Sequence, residues 1–164
     1  MAVVTRISGD LYVDGKIRSG DEIVIPGGQV LDAEDLEHQY VIPYSQADGS
    51  DIVAAIMPVH IVHGATATIK AVKVLCLDAP EGGDKEFTVD LKVANVGTPA
   101  PATVLSAVVD YAAETPDCTP LPGTIASPSL VAGDALLVVV AVSGSTGNQG
   151  QGLIVIVVLE EDAA

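Results

Sequence analysis

The strongest constraint on how this chain can fold is a pair of apolar runs near its C-terminus. The first reads Ala135-Leu-Leu-Val-Val-Val-Ala-Val-Ser143 and the second Gly152-Leu-Ile-Val-Ile-Val-Val-Leu159. Each is dominated by Val, Leu and Ile and bounded by Gly, Ser or Asp, which is the length and composition of a buried strand. A membrane-crossing helix needs about 20 consecutive apolar residues, so neither run is one. The linker between them, Gly144 to Gln151, contains nothing apolar. This pattern predicts two neighbouring antiparallel strands joined by a polar tip, with the remaining strands added to that hairpin.

Upstream, the pattern is β almost throughout. Ile56 to Val62 is one apolar run, and Ala65 to Leu77 is a long stretch whose Thr, Ile and Val favour extended chain. Phe87, Val89, Leu91 and Val93 alternate with Glu86, Thr88, Asp90 and Lys92, which predicts a strand with one wet face. Val104 to Tyr111 predicts another strand, Thr115 to Pro122 a loop, Thr124 to Ala126 a short strand, and Val131 to Asp134 a turn. Turn signals recur every eight to twelve residues or so, the spacing of an antiparallel two-sheet sandwich or jelly roll. The expected fold is therefore all-β, with residues 55–164 forming the sandwich.

The beginning of the chain reads differently. Residues 1–30 carry isolated apolar residues and an Asp14-Gly15 turn signal, too little to hold together alone, so they predict an extended arm with a short hairpin. Residues 31–54 predict a linker. Within it, Asp32 to Gln39 is the one plausible helix, with Asp32 as its N-cap and acids in its first turn.

Charge narrows the function classes. Twenty-two acidic and seven basic side chains give a formal charge of −15, which repels nucleic acid and anionic lipid. No Lys or Arg follows Lys92, whereas Arg6, Lys16 and Arg18 sit in the arm. Hydrophobic residues make up 49% of the chain, so in the absence of a membrane span some apolar surface should be covered by sister subunits. Val139, Val142, Ile154, Ile156 and Val108 are the expected contact residues. Cys76 lies in an apolar strand, where a buried free thiol is a commoner outcome than a disulfide to Cys118. No charged-then-apolar leader is seen, so synthesis and folding in a cytoplasm are expected.

Catalytic patterns find no support. His60 and His63 are the one close ligand-like pair, but on a strand an i, i+3 spacing points to opposite faces, which suits packing or an interface better than a metal. No G-x-S-x-G occurs, and the Gly27-Gly28 and Gly82-Gly83 pairs lack the Lys-Ser/Thr and helix of a phosphate loop. No enzymatic activity, metal or cofactor is expected. The amides of the Gly144 to Gln151 tip could meet sugar hydroxyls, although no Trp and no nearby Tyr offers a stacking platform; a plain exposed tip fits better.

Several segments together resemble a known family. Gly9-Asp-Leu-Tyr-Val-Asp-Gly15, Leu36-Glu-His-Gln-Tyr40, His60-Ile-Val-His-Gly-Ala-Thr66, Phe87-Thr-Val-Asp-Leu-Lys92, Ser106 and Leu130-Val-Ala-Gly-Asp134 are similar to head-fibre or capsid decoration (cement) proteins of tailed bacteriophages. The resemblance implies a homotrimeric β-sandwich on the capsid exterior, partnered by the major capsid protein, with a terminal arm reaching across shell subunits. Within that arm Arg6, Leu11, Tyr12, Val13, Lys16, Ile17 and Arg18 are the expected capsid contacts. The alternatives are a receptor- or carbohydrate-binding head of a phage fibre, taking a host surface glycan at the 144–151 tip, and a carbohydrate-binding accessory module.

Overall fold

The computed structural model describes residues 23–25, 29–31, 38–82, 86–98, 100–112, 115–144 and 148–162. Two short strands, β1 (Ile23–Ile25) and β2 (Gln29–Leu31), pair antiparallel. Ten more follow: β3 (His38–Ser45), β4 (Ala55–Ile61), β5 (Thr66–Asp78), β6 (Glu86–Ala94), β7 (Ala102–Thr103), β8 (Val109–Ala112), β9 (Leu121–Gly123), β10 (Ser129–Val131), β11 (Ala135–Ser143) and β12 (Gln151–Glu161). No helix occurs among the described residues. Of the expected helix, residues 32–37 lie outside them, and His38 and Gln39 belong to β3.

The strands form two antiparallel five-stranded sheets. One runs β10-β5-β12-β3 with β9 also on β5; the other runs β4-β11-β6-β7 with β8 also on β6. The short strands β7 and β8 share one flank of β6, and β9 and β10 share one flank of β5. Counted that way there are eight strand positions, and the first pairs with the eighth, the second with the seventh, the third with the sixth and the fourth with the fifth. That is one long hairpin rolled over itself, the jelly roll. The sandwich thus begins at β3, inside the segment expected to be linker.

One sequence expectation is overturned by this topology. β11 and β12 are not hairpin partners: β11 is flanked by β4 and β6, and β12 by β5 and β3, in opposite sheets. Both runs are apolar because each is the interior strand of its sheet, paired on both sides and covered on its inner face. Two such strands side by side would leave each sheet without its centre. The polar linker crosses from one sheet to the other, and its far end is fastened, with Asn148 O accepting from Glu81 N–H (3.2 Å) and Gly150 O from Ile52 N–H (2.8 Å).

The core lies between the sheets and is almost wholly aliphatic. Leu153, Val155, Val157 and Leu159 of β12 face Leu136, Val138 and Val140 of β11, all buried. Burying a single such side chain stabilises by about 1.5–3 kcal/mol, so a few of them match the 5–15 kcal/mol by which a typical domain is stable, before chain entropy opposes them. Two rings supplement the core. Phe87 and Tyr111 are opposed across β6 and β8 and stack with centroids 5.1 Å apart, and the Tyr111 hydroxyl donates to Thr119 O at 3.0 Å, holding the loop before β9.

Other strands depart from expectation at their ends. The Val104 to Tyr111 stretch is strand only from Val109, because Leu105 makes a separate bridge to Ile125. Strand also reaches Leu121 and Pro122, in the segment expected to be loop. The wet face predicted for β6 is partly covered: Asp90 is buried, with Thr103 Oγ1 of β7 donating to its Oδ1 and Lys92 Nζ 3.8 Å from its Oδ2. Ahead of β11, Asp134 is buried and accepts from Val131 N–H (3.0 Å) and Asn95 Nδ2 (3.1 Å), which closes the expected turn. Gly133 in that turn has φ 85°, and a Cβ there would stand 2.9 Å from Val96 Cγ2.

The alternation along β11 makes a direct test. Leu136→Ala empties a fully buried position and should cost about 2–5 kcal/mol in urea unfolding. The neighbouring Leu137→Ala, on the half-buried outer face, should cost well under half as much. Equal losses would contradict the inward placement of Leu136.

Candidate functional site

Chemistry-bearing side chains converge where β3, β4 and β12 end together. Glu161 continues the inward phase of Val155, Val157 and Leu159, and its side chain is 2% exposed. His60 Nε2 of β4 lies 2.5 Å from its Oε1, while the backbone N–H groups of His63 and Gly64 donate to Oε2 at 3.3 and 3.0 Å. A carboxylate with this many donors is a satisfied buried charge. Gly64 is required there, because a Cβ would come within 2.2 Å of Asp162 O. Asp162 in turn accepts from the Thr66 hydroxyl.

The rings of Tyr40 and His63 both pack against the ring of His60. Tyr40 and His60 have centroids 5.3 Å apart, and His60 and His63 meet edge-on at 5.9 Å. The opposite-face argument for the two histidines therefore fails, since β4 ends at Ile61 and the chain turns before His63. The histidines do come together, but the site is a tie between sheets rather than a ligand cage. Among the described residues no group of three or more His, Cys, Asp or Glu side chains could hold a metal ion.

Burial works to raise the Glu161 pKa, and the hydrogen bonds from His60, Gly64 and His63 outweigh it, so the carboxyl titrates below its ordinary 4.5. The pair also has a distinctive position. Lys70–Glu160 joins strands of one sheet and Lys92–Asp90 lies within one strand, whereas His60–Glu161 ties one sheet to the other. Among the described residues the hydrogen-bond partner of the His60 ring is the Glu161 carboxylate. What this arrangement does is hold the sandwich shut at its β3/β4 side.

That side is otherwise weakly joined. At the opposite side the sheets are stitched through backbone, by the Leu105–Ile125 bridge and by Ser106 N–H to Thr124 O and Ala126 N–H to Val104 O, each 2.8 Å. Between β3 and β4 no backbone hydrogen bond is made among the described residues. The Gln46 amide substitutes, donating to Val53 O (2.9 Å) and accepting from Val53 N–H (2.8 Å). Pro43 and Pro58 occupy the two edge strands, where a missing N–H discourages addition of a further strand.

The residues expected at subunit contacts do not share a surface. Val139 is on the outer face of β11 opposite Ile56, and Ile154 and Ile156 are on the outer face of β12, across the sandwich. Val142 and Val108 are exposed near the end of β11 and just before β8. Arg6, Leu11, Tyr12, Val13, Lys16, Ile17 and Arg18 lie outside the described residues. Both cysteines are free, Cys76 buried and Cys118 exposed.

No protein-family profile and no curated protein matches the sequence. Solved chains that resemble it come from infectious bursal disease virus, Gx strain (TM-score 0.39, 14% identity, 87% of this chain and 41% of that one), and from Desmodium yellow mottle tymovirus (TM-score 0.34, 11% identity, 97% and 96%). This chain thus spans about two fifths of the first of these.

Two measurements follow from the site. Glu161→Gln should destabilise by about 1–3 kcal/mol at neutral pH, the cost of disturbing a buried, charge-assisted network. Because its folded pKa is depressed, the Glu161 contribution is complete above 4.5 and fades only as pH falls below it toward the folded value. The stability gap between wild type and Glu161→Gln should therefore close in acid; a gap that widens in acid would reverse the sign. The thiols are separable too. Burial pushes Cys76 up to about 11, so a thiol reagent should modify Cys118 alone in the native chain and both cysteines once guanidinium unfolds it.

Proposed function

We propose that this protein is a virion structural protein that coats the outside of a tailed-phage capsid as a homotrimer and braces contacts between shell subunits. The observation that carries the reading is a division of the jelly-roll surface. The chain has a net charge of −15, yet β3 and β4 contain no Asp, Glu, Lys or Arg and expose Val41, Ile56, Met57 and Ile61. An acidic exterior suits a protein that faces solvent and avoids packaged nucleic acid. An exposed apolar side suits contact with other subunits.

The resemblance of the sequence segments to capsid decoration proteins supports the major capsid protein as partner and the shell exterior as the place. On this reading the arm attaches by strand addition, burying Leu11, Tyr12, Val13 and Ile17 against the shell and setting Arg6, Lys16 and Arg18 opposite its carboxylates. Three arms per trimer would multiply a weak contact by avidity.

Deleting residues 1–28 tests this division of labour. The shortened chain should keep its β-rich circular dichroism and its oligomeric state but should no longer sediment with undecorated capsids. Equal binding by the shortened chain would move the attachment surface to the sandwich. Failure of the full chain to bind shells at all would remove the capsid reading.

A further inference from the structure

The uncharged side of the sandwich supports a second step. Residues 39–61 contain no Lys, Arg or Glu, and their two Asp residues, Asp48 and Asp51, both lie in the β3–β4 connection. On the same stretch Val41, Ile56 and Ile61 are 63%, 70% and 52% exposed. The register wraps these residues around one edge. Val41 pairs with Val158, and Ile56 and Ile61 pair with Val139 and Ala135, so each looks outward from its own sheet. Tyr40 and Met57 pair with the core residues Leu159 and Val138 and so line the seam itself, where they remain partly exposed. Apolar side chains are thus exposed on one outer face, at the seam and on the other outer face.

We propose that this β3/β4 side is the surface through which copies of this chain bind one another. The argument for a second copy is electrostatic. An identical chain, with 22 acidic and only 7 basic side chains, has few cations to set against its partner's acids. Contact through acidic faces would bring like charges within the screening length of about 8–10 Å, where they repel. The stripe without charge is where two such chains can approach without that repulsion. A basic partner would instead find its complement on the acidic remainder. Pro43 and Pro58 make the contact one of side chains rather than of a shared, extended sheet. The contact site is thus the β3/β4 side rather than the outer faces of β11 and β12 alone.

This inference shares with the capsid reading the uncharged β3/β4 side and the expectation of self-association, and it is tested on the free full-length chain with no shell present. Sedimentation velocity would compare wild type with the triple variant Val41→Glu, Ile56→Glu, Ile61→Glu, and with a control pair, Leu77→Glu and Val108→Glu, which are 39% and 46% exposed, Leu77 on β5 with β12 between it and β3, and Val108 just before β8 with β6 and β11 between it and β4. Wild type and the control pair should be oligomeric at micromolar concentration. The triple variant should be monomeric with unchanged circular dichroism, its association weakened by about 100-fold or more, or roughly 2.8 kcal/mol. Should the triple variant misfold, Ile56→Glu alone, at the most exposed of the three positions, should still weaken association about tenfold. A monomeric wild type would leave the stripe to a different protein and overturn the proposal. So would an oligomer that survives Ile56→Glu unchanged, or one that the control pair dissolves as readily.

Discussion

β12 lies between β5 and β3 with Leu153, Val155, Val157 and Leu159 fully buried, and β11 holds the matching place between β4 and β6. The contact between their inner faces is the centre of the core, and the rest of the topology follows from it. Two interior strands consecutive in the chain must be bridged across the sandwich rather than by a tight turn. The Gly144 to Gln151 connection does this, and Gly150, at φ 85°, is packed where a Cβ would sit 3.0 Å from Asp78 O. Once β11 and β12 are apart, β3 and β4 become the outermost partners of each, and the free edges of both sheets fall on one side.

The two sides of the sandwich solve the edge problem differently. Where the β7–β8 connection meets the β9–β10 connection, backbone groups pair across the gap at Leu105 and Ile125 and beside them. Where β3 approaches β4, side chains do the joining: the Gln46 amide at one end and the His60–Glu161 pair at the other. Prolines blunt both edges in between. A side held by side chains can keep its backbone groups away from stray strands while still presenting apolar side chains to a chosen partner. This is why the same segment serves as the closing seam of the monomer and as the proposed meeting place of copies.

Few aromatic residues are available, and those among the described residues sit at joints. Phe87 and Tyr111 stack between β6 and β8, and Tyr111 reaches the carbonyl of Thr119 to hold the loop beside Cys118. Tyr40 packs beside His60 over the buried Glu161, and the Tyr44 hydroxyl accepts from Gln46 at 2.9 Å. Aliphatic side chains fill space but make no directed contacts. In a core of Val, Leu and Ile, these few polar-tipped rings help to position the loops.

The all-β class, the positions of β4, β5, β6, β11 and β12, and the turn at Asp134 were legible in the sequence, because a period of two in apolar residues has one physical meaning once a core is available. The buried Glu161 was legible too, though it was missed: it continues the phase of Val155, Val157 and Leu159, and a carboxylate in that phase demands a partner. Which partner was not legible. His60 lies 101 positions away in the chain, and only the packing of the sheet that holds β4 against the sheet that holds β12 brings the two together. The separation of β11 from β12 was likewise a tertiary matter. A pair of apolar runs satisfies the local rules of a hairpin as well as those of two interior strands, and local rules record how deeply a strand is buried but not which sheet buries it.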